Sequence, residues 1–146
     1  MVKSTRSIVF DFLLNEVRGD INTRVAAFAD KTIDQMLQHV AFCYYNWLAC
    51  FAMKRPVLNN HNLNTADLYL LVDEVVESFL HQYNGMIEVP ITGVHDTMGQ
   101  LSATPLELFT HVTTHEFHHK GQIMSVCRIL GHLPPDTDTS NFFDSK

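Results

Sequence analysis

The feature that most constrains the fold is a long segment whose start and end are both marked in the sequence. Thr104, Pro105 and Glu107 form an N-cap residue, a first-turn proline and a capping-box glutamate. Gly131 follows the last residue of the apolar pattern, and two prolines come shortly after it. The segment predicts a helix of about 27 residues, long enough to cross a small helical bundle from end to end.

Three further segments carry the apolar spacing of helices, at about residues 4–17, 30–53 and 65–83. Before the fourth helix, Ile87, Val89 and Ile91 alternate with other residues, which indicates a short edge strand or hairpin. A connection of this length often lies over a functional site. The sequence therefore predicts an all-α fold, a four-helix bundle with a short hairpin, in a single domain over residues 1–146.

Composition and charge exclude several classes of function. The net charge is −6 and no basic run occurs, so a nucleic-acid partner is not expected. The longest apolar stretch, residues 40–53, is too short to span a bilayer, so we expect no membrane partner. The three cysteines are odd in number and form no C-x-x-C pair, which favours reduced thiols. We expect a cytoplasmic protein.

The fourth helix carries the histidine-rich stretch THVTTHEFHHKGQ, residues 110–122. His115 and His119 are four residues apart on its apolar stripe, so one divalent cation can bind both. His111 lies nearer the edge of this stripe, and His118 points about 100° away from His119. The alternative is a pair of core histidines bonded to carbonyls or to each other. A metal is favoured because two buried imidazoles are costly to desolvate.

A third ligand is available from the second helix. His39 is the only histidine of that helix, and a facing helix can bring it against His115 and His119. Three neutral imidazoles suit zinc, nickel, iron(II) or copper, and they leave positions open for water or substrate. Cys43 lies one turn from His39 and is an alternative ligand, although buried cysteines more often serve packing.

The same stretch fits the zinc-protease pattern H-E-x-x-H, with Glu116 as the general base. The extended pattern needs glycine and histidine where this chain has Gln122 and Ser125, and no glutamate follows Glu116. Glu116 is one step from His115, which predicts that its side chain points away from the inner stripe unless the metal lies at the helix edge. A zinc protease is therefore a remote alternative.

Two motifs resemble those of one known family. The run HVTTHEFHHKGQI followed by LGHLPPDTD resembles the signature of the DinB-like (damage-inducible) superfamily, and residues 119–122 are its most specific part. The stretch LQHVAFCYYNWL resembles the earlier motif, in which a histidine is followed eight residues later by tryptophan, here His39 and Trp47. The resemblance covers essentially the whole chain.

The resemblance implies an up-down-down-up four-helix bundle, commonly a homodimer. By position it implies metal ligation by His39, His115 and His119, with zinc or nickel as the expected ion and iron or manganese as alternatives. Relatives include S-transferases and isomerases that use low-molecular-weight thiols, and hydrolases. His111 would serve as a polar partner of a ligating histidine, or lie at the bundle edge, and His118 would face solvent or an interface.

The leading hypothesis is a divalent-metal-dependent enzyme acting on a small molecule, either a thiol-dependent S-transferase or a hydrolase. The ion would lower the pKa of bound water or hold a substrate thiol as thiolate. A non-catalytic metal-binding or sensor protein is the main alternative. A structural dimer whose histidines take up metal only during nickel purification is another.

Other polar and aromatic residues are given mainly structural roles. Asp73, Glu74 and Glu77 on the third helix are expected to be surface charges first and general bases second. Tyr44, Trp47 and Tyr83 are expected to belong to the core more than to a pocket. The phenylalanine-rich end, residues 141–143, could bury against a partner subunit.

Overall fold

In a computed structural model the chain is described over residues 2–58, 63–95 and 98–143, and these residues are mostly helical. The main helices are α1 (Val2–Phe12), α2 (Ile33–Tyr44), α3 (Thr65–Gln82) and α4 (Pro105–Ile129). Wider π-helical turns continue α1 over Leu13–Val17 and α2 over Tyr45–Ala52, and short 3₁₀ turns occupy Ala26–Phe28 and Thr139–Phe142. Strands β1 (Ile91–His95) and β2 (Gly99–Ala103) pair antiparallel. A helical fold with a short hairpin is confirmed.

The described residues form two compact units, one within Met1–Met36 and Lys120–Lys146 and the other within Leu37–His119. Apolar side chains fill the interior of each unit. Those of the first include Val9, Phe12, Leu13, Val17, Ile33, Ile123 and Val126. Those of the second include Val40, Ala41, Leu48, Leu68, Val72, Val75, Phe79, Leu108 and Val112. The three predicted metal ligands all belong to the second unit. Within the described residues, no helix combines the length and the hydropathy that a membrane span requires.

Helix α2 begins at Ile33, so the predicted start at residue 30 was wrong by three residues. Thr32 and Gln35 form a capping box, with each backbone N–H donating to the other's side-chain oxygen at 3.1 Å. Ala29 and Asp30 have φ values of 54° and 55°, a left-handed conformation that a right-handed helix excludes. The threonine and glutamine three residues apart were the sequence signal for this start.

The π-helical turns after α2 end at Ala52, close to the predicted helix end at residue 53. The backbone N–H of Met53 donates to the carbonyl of Leu48, five residues earlier, at 3.1 Å. Because each π turn holds more residues than an α turn, the side chains after Tyr44 change phase relative to those before it. Trp47 lies in this widened stretch.

The hairpin begins at Ile91, later than the alternation from residue 87 suggested. Ile91 pairs with Ala103, and His95 pairs with Gly99. Pro90 precedes β1 immediately, in keeping with the lack of an N–H on proline for strand pairing. Gly99, the first residue of β2, has a φ of 75°, which glycine adopts without steric cost.

Hydrogen bonds from Lys54 connect the hairpin to the end of the helical segment that follows α2. Lys54 Nζ donates to the carbonyl of Phe51 at 2.8 Å and to the carbonyl of Thr92 at 2.9 Å. A Cβ added at Gly93 would lie 2.5 Å from Lys54 Nζ and 3.2 Å from a ring carbon of Phe51. Glycine at this position therefore lets β1 approach the helical segment closely.

Helix α4 has the caps that the sequence predicts. The backbone N–H of Thr104 donates to Glu107 Oε2 at 2.8 Å, and the N–H of Glu107 donates to Thr104 Oγ1 at 3.2 Å. Hydrogen bonds from the Thr104 N–H and from the Thr104 hydroxyl to the Glu107 carboxylate lower the pKa of Glu107. At the other end Gly131 has a φ of 90°, and the His132 N–H donates to the Cys127 carbonyl at 2.9 Å.

Loss of the N-cap should be measurable as a loss of stability. We expect Thr104→Ala to lower the free energy of unfolding by about 1 kcal/mol, because the alanine cannot accept the first-turn N–H bond. Thr114→Ala is the matched control, since the Thr114 hydroxyl donates only to carbonyls within the helix, those of Thr110 and His111. Urea denaturation of both variants measures the difference. Equal stabilities for the two variants would contradict the capping role.

Candidate metal centre

The structure brings together the three histidines that the sequence predicts as ligands. His39 comes from α2, and His115 and His119 come from successive turns of α4. One ring nitrogen from each lies within 4.8 Å of the other two. The ring centroids are 4.5 Å to 5.0 Å apart. We refer to these three residues as the histidine triad.

Two nitrogens of the triad have the spacing of two ligands on one ion. The Nε2 atoms of His39 and His115 are 3.2 Å apart. Zn–N bonds of about 2.0–2.1 Å place two nitrogens of a tetrahedral site about 3.3 Å apart. A hydrogen bond between the two rings would also fit 3.2 Å, with one ring as donor and the other as acceptor. Three imidazole nitrogens within 4.8 Å of one another form a suitable donor set for a divalent transition metal.

The triad lies at the edge of the buried face and is open to solvent on the α2 side. His39 is exposed, and His115 and His119 are half-buried. Burial, followed by the neighbouring imidazoles, lowers the pKa of His115 to about 4. Because this pKa is lowered, the ring is neutral at physiological pH, which is the form that binds metal. The sequence placed His115 and His119 deeper in the interior than they are.

Glu116 points into the protein, an orientation expected from the sequence only for a metal at the helix edge. Glu116 is 8% exposed. It lies four residues after Val112 and seven before Ile123, both buried, and this spacing keeps all three on one helix face. Tyr44 Oη donates to Glu116 Oε2 at 2.6 Å. One carboxylate oxygen thus binds Tyr44 on α2.

One turn from the triad, α2 and α4 meet again through Cys43 and His111. The Cys43 Sγ lies 3.9 Å from His111 Nε2. Burial raises the pKa of the Cys43 thiol to about 12, so the thiol stays protonated at neutral pH. Within the described residues, the group with metal-ligand spacing consists of the triad and does not include Cys43.

A comparison with protein families supports the resemblance seen in the sequence. The family model described as the DinB family matches residues 23–146, which is most of the chain. The chain belongs to the DinB family. No curated protein matches it. The triad of this DinB protein spans both motifs that carried the resemblance.

The hairpin of this DinB protein contributes an aromatic neighbour that sequence reasoning missed. His95 of β1 stacks on Trp47 with centroids 4.4 Å apart and planes 19° apart. Trp47 also meets the ring of His111 edge-on at 5.2 Å. The prediction of a hairpin over the site was the only signal for this contact. It connects the hairpin to His111, one turn from the triad.

Two of the residues that the sequence assigned to structural roles, Glu74 and Tyr83, hydrogen-bond to groups outside the triad. Glu74 Oε1 accepts from Arg55 at 2.9 Å on the surface. Tyr83 Oη donates to the Ala52 carbonyl at 2.9 Å. His118 is exposed and its ring meets that of His119 edge-on at 5.2 Å. These contacts are in keeping with the structural roles expected for Glu74 and Tyr83.

Proposed function

We propose that this DinB protein is a divalent-metal-dependent enzyme that transfers a low-molecular-weight thiol to a small electrophile. The observation that carries the proposal is the triad itself, in which nitrogens from two helices lie within 4.8 Å of one another. The exposure of His39 leaves one side of the site open to small molecules. Zinc or nickel is the expected ion.

The chemistry of the donor set supports transfer or hydrolysis at an ion. Three neutral imidazoles leave the charge of a divalent ion uncompensated, and such an ion lowers the pKa of a thiol or water that binds it. In the proposed reaction the thiol sulfur forms a bond to the electrophilic carbon. The bond from that carbon to the leaving group breaks, and the thiol proton leaves with the leaving group.

Thiol transfer is favoured over hydrolysis by the surroundings of the triad. Within the described residues, the group with metal-ligand spacing contains imidazoles and no carboxylate. Glu116, the nearest carboxylate in sequence, has an oxygen bonded to buried Tyr44. Hydrolysis commonly uses a general base beside the water, whereas a thiol of pKa about 8.5 ionises readily near a cation.

Family membership supports three further parts of the proposal. The helices would follow the up-down-down-up order of a four-helix bundle, two chains would form a homodimer, and the protein would act in the cytoplasm. Sedimentation velocity tests the dimer directly. A monomer at micromolar concentration would contradict that part of the proposal without affecting the metal site.

Metal content of untagged protein tests the site. We expect about one zinc or nickel ion per chain in the parent and a large loss in His115→Ala, because the remaining ligands lie on different helices. His81→Ala is the control, since His81 is exposed on α3 outside the triad. Elemental analysis after dialysis gives the stoichiometry. Metal-free parent protein, prepared with zinc and nickel supplied, would contradict the proposal.

Turnover is then assayed with defined probes. Cysteine and glutathione are each combined with 1-chloro-2,4-dinitrobenzene, and p-nitrophenyl acetate alone reports hydrolysis. We expect thiol-dependent turnover that a chelator abolishes and added zinc or nickel restores. Turnover that survives complete metal removal would contradict the mechanism. Stoichiometric metal without turnover of any probe would favour the non-catalytic metal-binding or sensor alternative.

A further inference from the structure

The buried pair of Tyr44 and Glu116 has no role in the proposed thiol transfer. Tyr44 is 1% exposed and Glu116 is 8% exposed. A carboxylate in an apolar interior is costly unless it is hydrogen-bonded. The 2.6 Å distance from Tyr44 Oη to Glu116 Oε2 is that of a short hydrogen bond. Such a bond between two helices constrains their separation.

The position of the pair connects it to the triad. Tyr44 lies five residues after His39 on α2, and Glu116 lies between His115 and His119 on α4. At 1.5 Å per residue, Tyr44 is about 7.5 Å along the helix from His39. The bond therefore joins the two helices that supply the ligands, close to the ligands themselves. It also lies at the last residue of α2 before the π-helical turns begin.

A metal site assembled from two helices depends on their separation. His115 and His119 have a fixed spacing on α4, but His39 reaches the same ion only if α2 stays in place. Metal–ligand distances tolerate deviations of about 0.2 Å. We propose that the Tyr44–Glu116 hydrogen bond is a positioning pair that holds α2 against α4 so that His39 completes the triad. This inference rests on the proposed metal site.

The positioning role differs from the general-base role that H-E-x-x-H suggests for Glu116. A positioning pair needs an acceptor for the Tyr44 hydroxyl at the right distance, and it does not need a basic carboxylate. Glu116→Gln keeps an acceptor oxygen of the same reach, so we expect metal affinity near that of the parent. Glu116→Asp keeps the charge but shortens the side chain by one methylene, so we expect weaker binding.

The decisive variant is Tyr44→Phe, which removes the hydroxyl and keeps the ring. We expect the affinity of the untagged protein for Zn²⁺ to fall by about ten-fold or more, as for other groups that orient metal ligands. The matched control is Tyr83→Phe, which removes a hydroxyl bonded to the Ala52 carbonyl at 2.9 Å. We expect this control to bind Zn²⁺ like the parent. Competition with a chromophoric chelator measures each affinity.

The Co²⁺ spectrum distinguishes positioning from a general loss of stability. We expect Co²⁺-loaded Tyr44→Phe to show altered d–d bands and Co²⁺-loaded Glu116→Gln to show the parent spectrum. Parental affinity and spectrum in Tyr44→Phe would overturn the inference, as would parental affinity in Glu116→Asp if Tyr44→Phe fails to fold. A parent that binds neither Zn²⁺ nor Co²⁺ would instead overturn the proposed metal site.

Discussion

Replacing His39 by alanine is expected to weaken Zn²⁺ binding on the order of 100-fold or more. This loss is larger than the loss caused by removing a residue that only hydrogen-bonds to a metal ligand. His115 and His119 would remain as a two-ligand chelate on α4. His39 is exposed, so its truncation removes little packing. A large loss of affinity would therefore report the loss of a ligand and not a loss of folding.

The affinity of His39→Ala is measured by competition of the untagged protein with a chromophoric zinc chelator. His81→Ala on α3 serves as the control, because it removes an exposed histidine outside the triad. Circular dichroism verifies that both variants retain their helices. An unchanged dissociation constant in His39→Ala would show that α2 supplies no ligand.

Replacing Phe79 by alanine should produce the largest loss of stability among the changes considered for the second unit. Phe79 is 2% exposed, stacks on Phe109 at 6.5 Å and meets Tyr83 at 5.0 Å. Truncation of a buried phenylalanine costs about 3–5 kcal/mol, through lost transfer free energy and the cavity that remains. Leu80→Ala is the control, because Leu80 is 50% exposed. Its effect should stay within about 0.5 kcal/mol.

Urea denaturation of the two α3 variants also tests how narrow the buried stripe of this helix is. Phe79 and Leu80 are adjacent apolar residues, but of the two only Phe79 is buried. Similar losses in both variants would contradict the burial seen in the structure. A loss confined to Phe79→Ala would agree with it.

The fold was predicted best where residues close together in the sequence determine the local structure. The caps of α4 at Thr104 and Gly131 depend on residues close in sequence, and both were predicted correctly. The start of α2 was placed too early because the left-handed conformation of Asp30 cannot be recognised from the spacing of apolar residues. The π-helical turns after Tyr44 were not predicted, because the apolar spacing used for the prediction assumes the number of residues per turn of an α-helix.

The sequence predicted the three histidines of the candidate site but not the arrangement of the residues around them. His115 and His119 have a spacing that defines a helix face, and His39 is the only histidine on the second helix. The direction of Glu116 was judged from one neighbour and not from the buried residues around it. His95 reaches Trp47 through the pairing of a hairpin, which helical periodicity does not describe.

The most direct test of the metal centre is an anomalous difference map from crystals of untagged, zinc-supplied protein, recorded at the zinc absorption edge. We expect one strong peak at bonding distance, about 2.0–2.1 Å, from a ring nitrogen of each of His39, His115 and His119. A map without a peak at the triad, or with zinc bound only at other residues, would contradict the proposed metal centre.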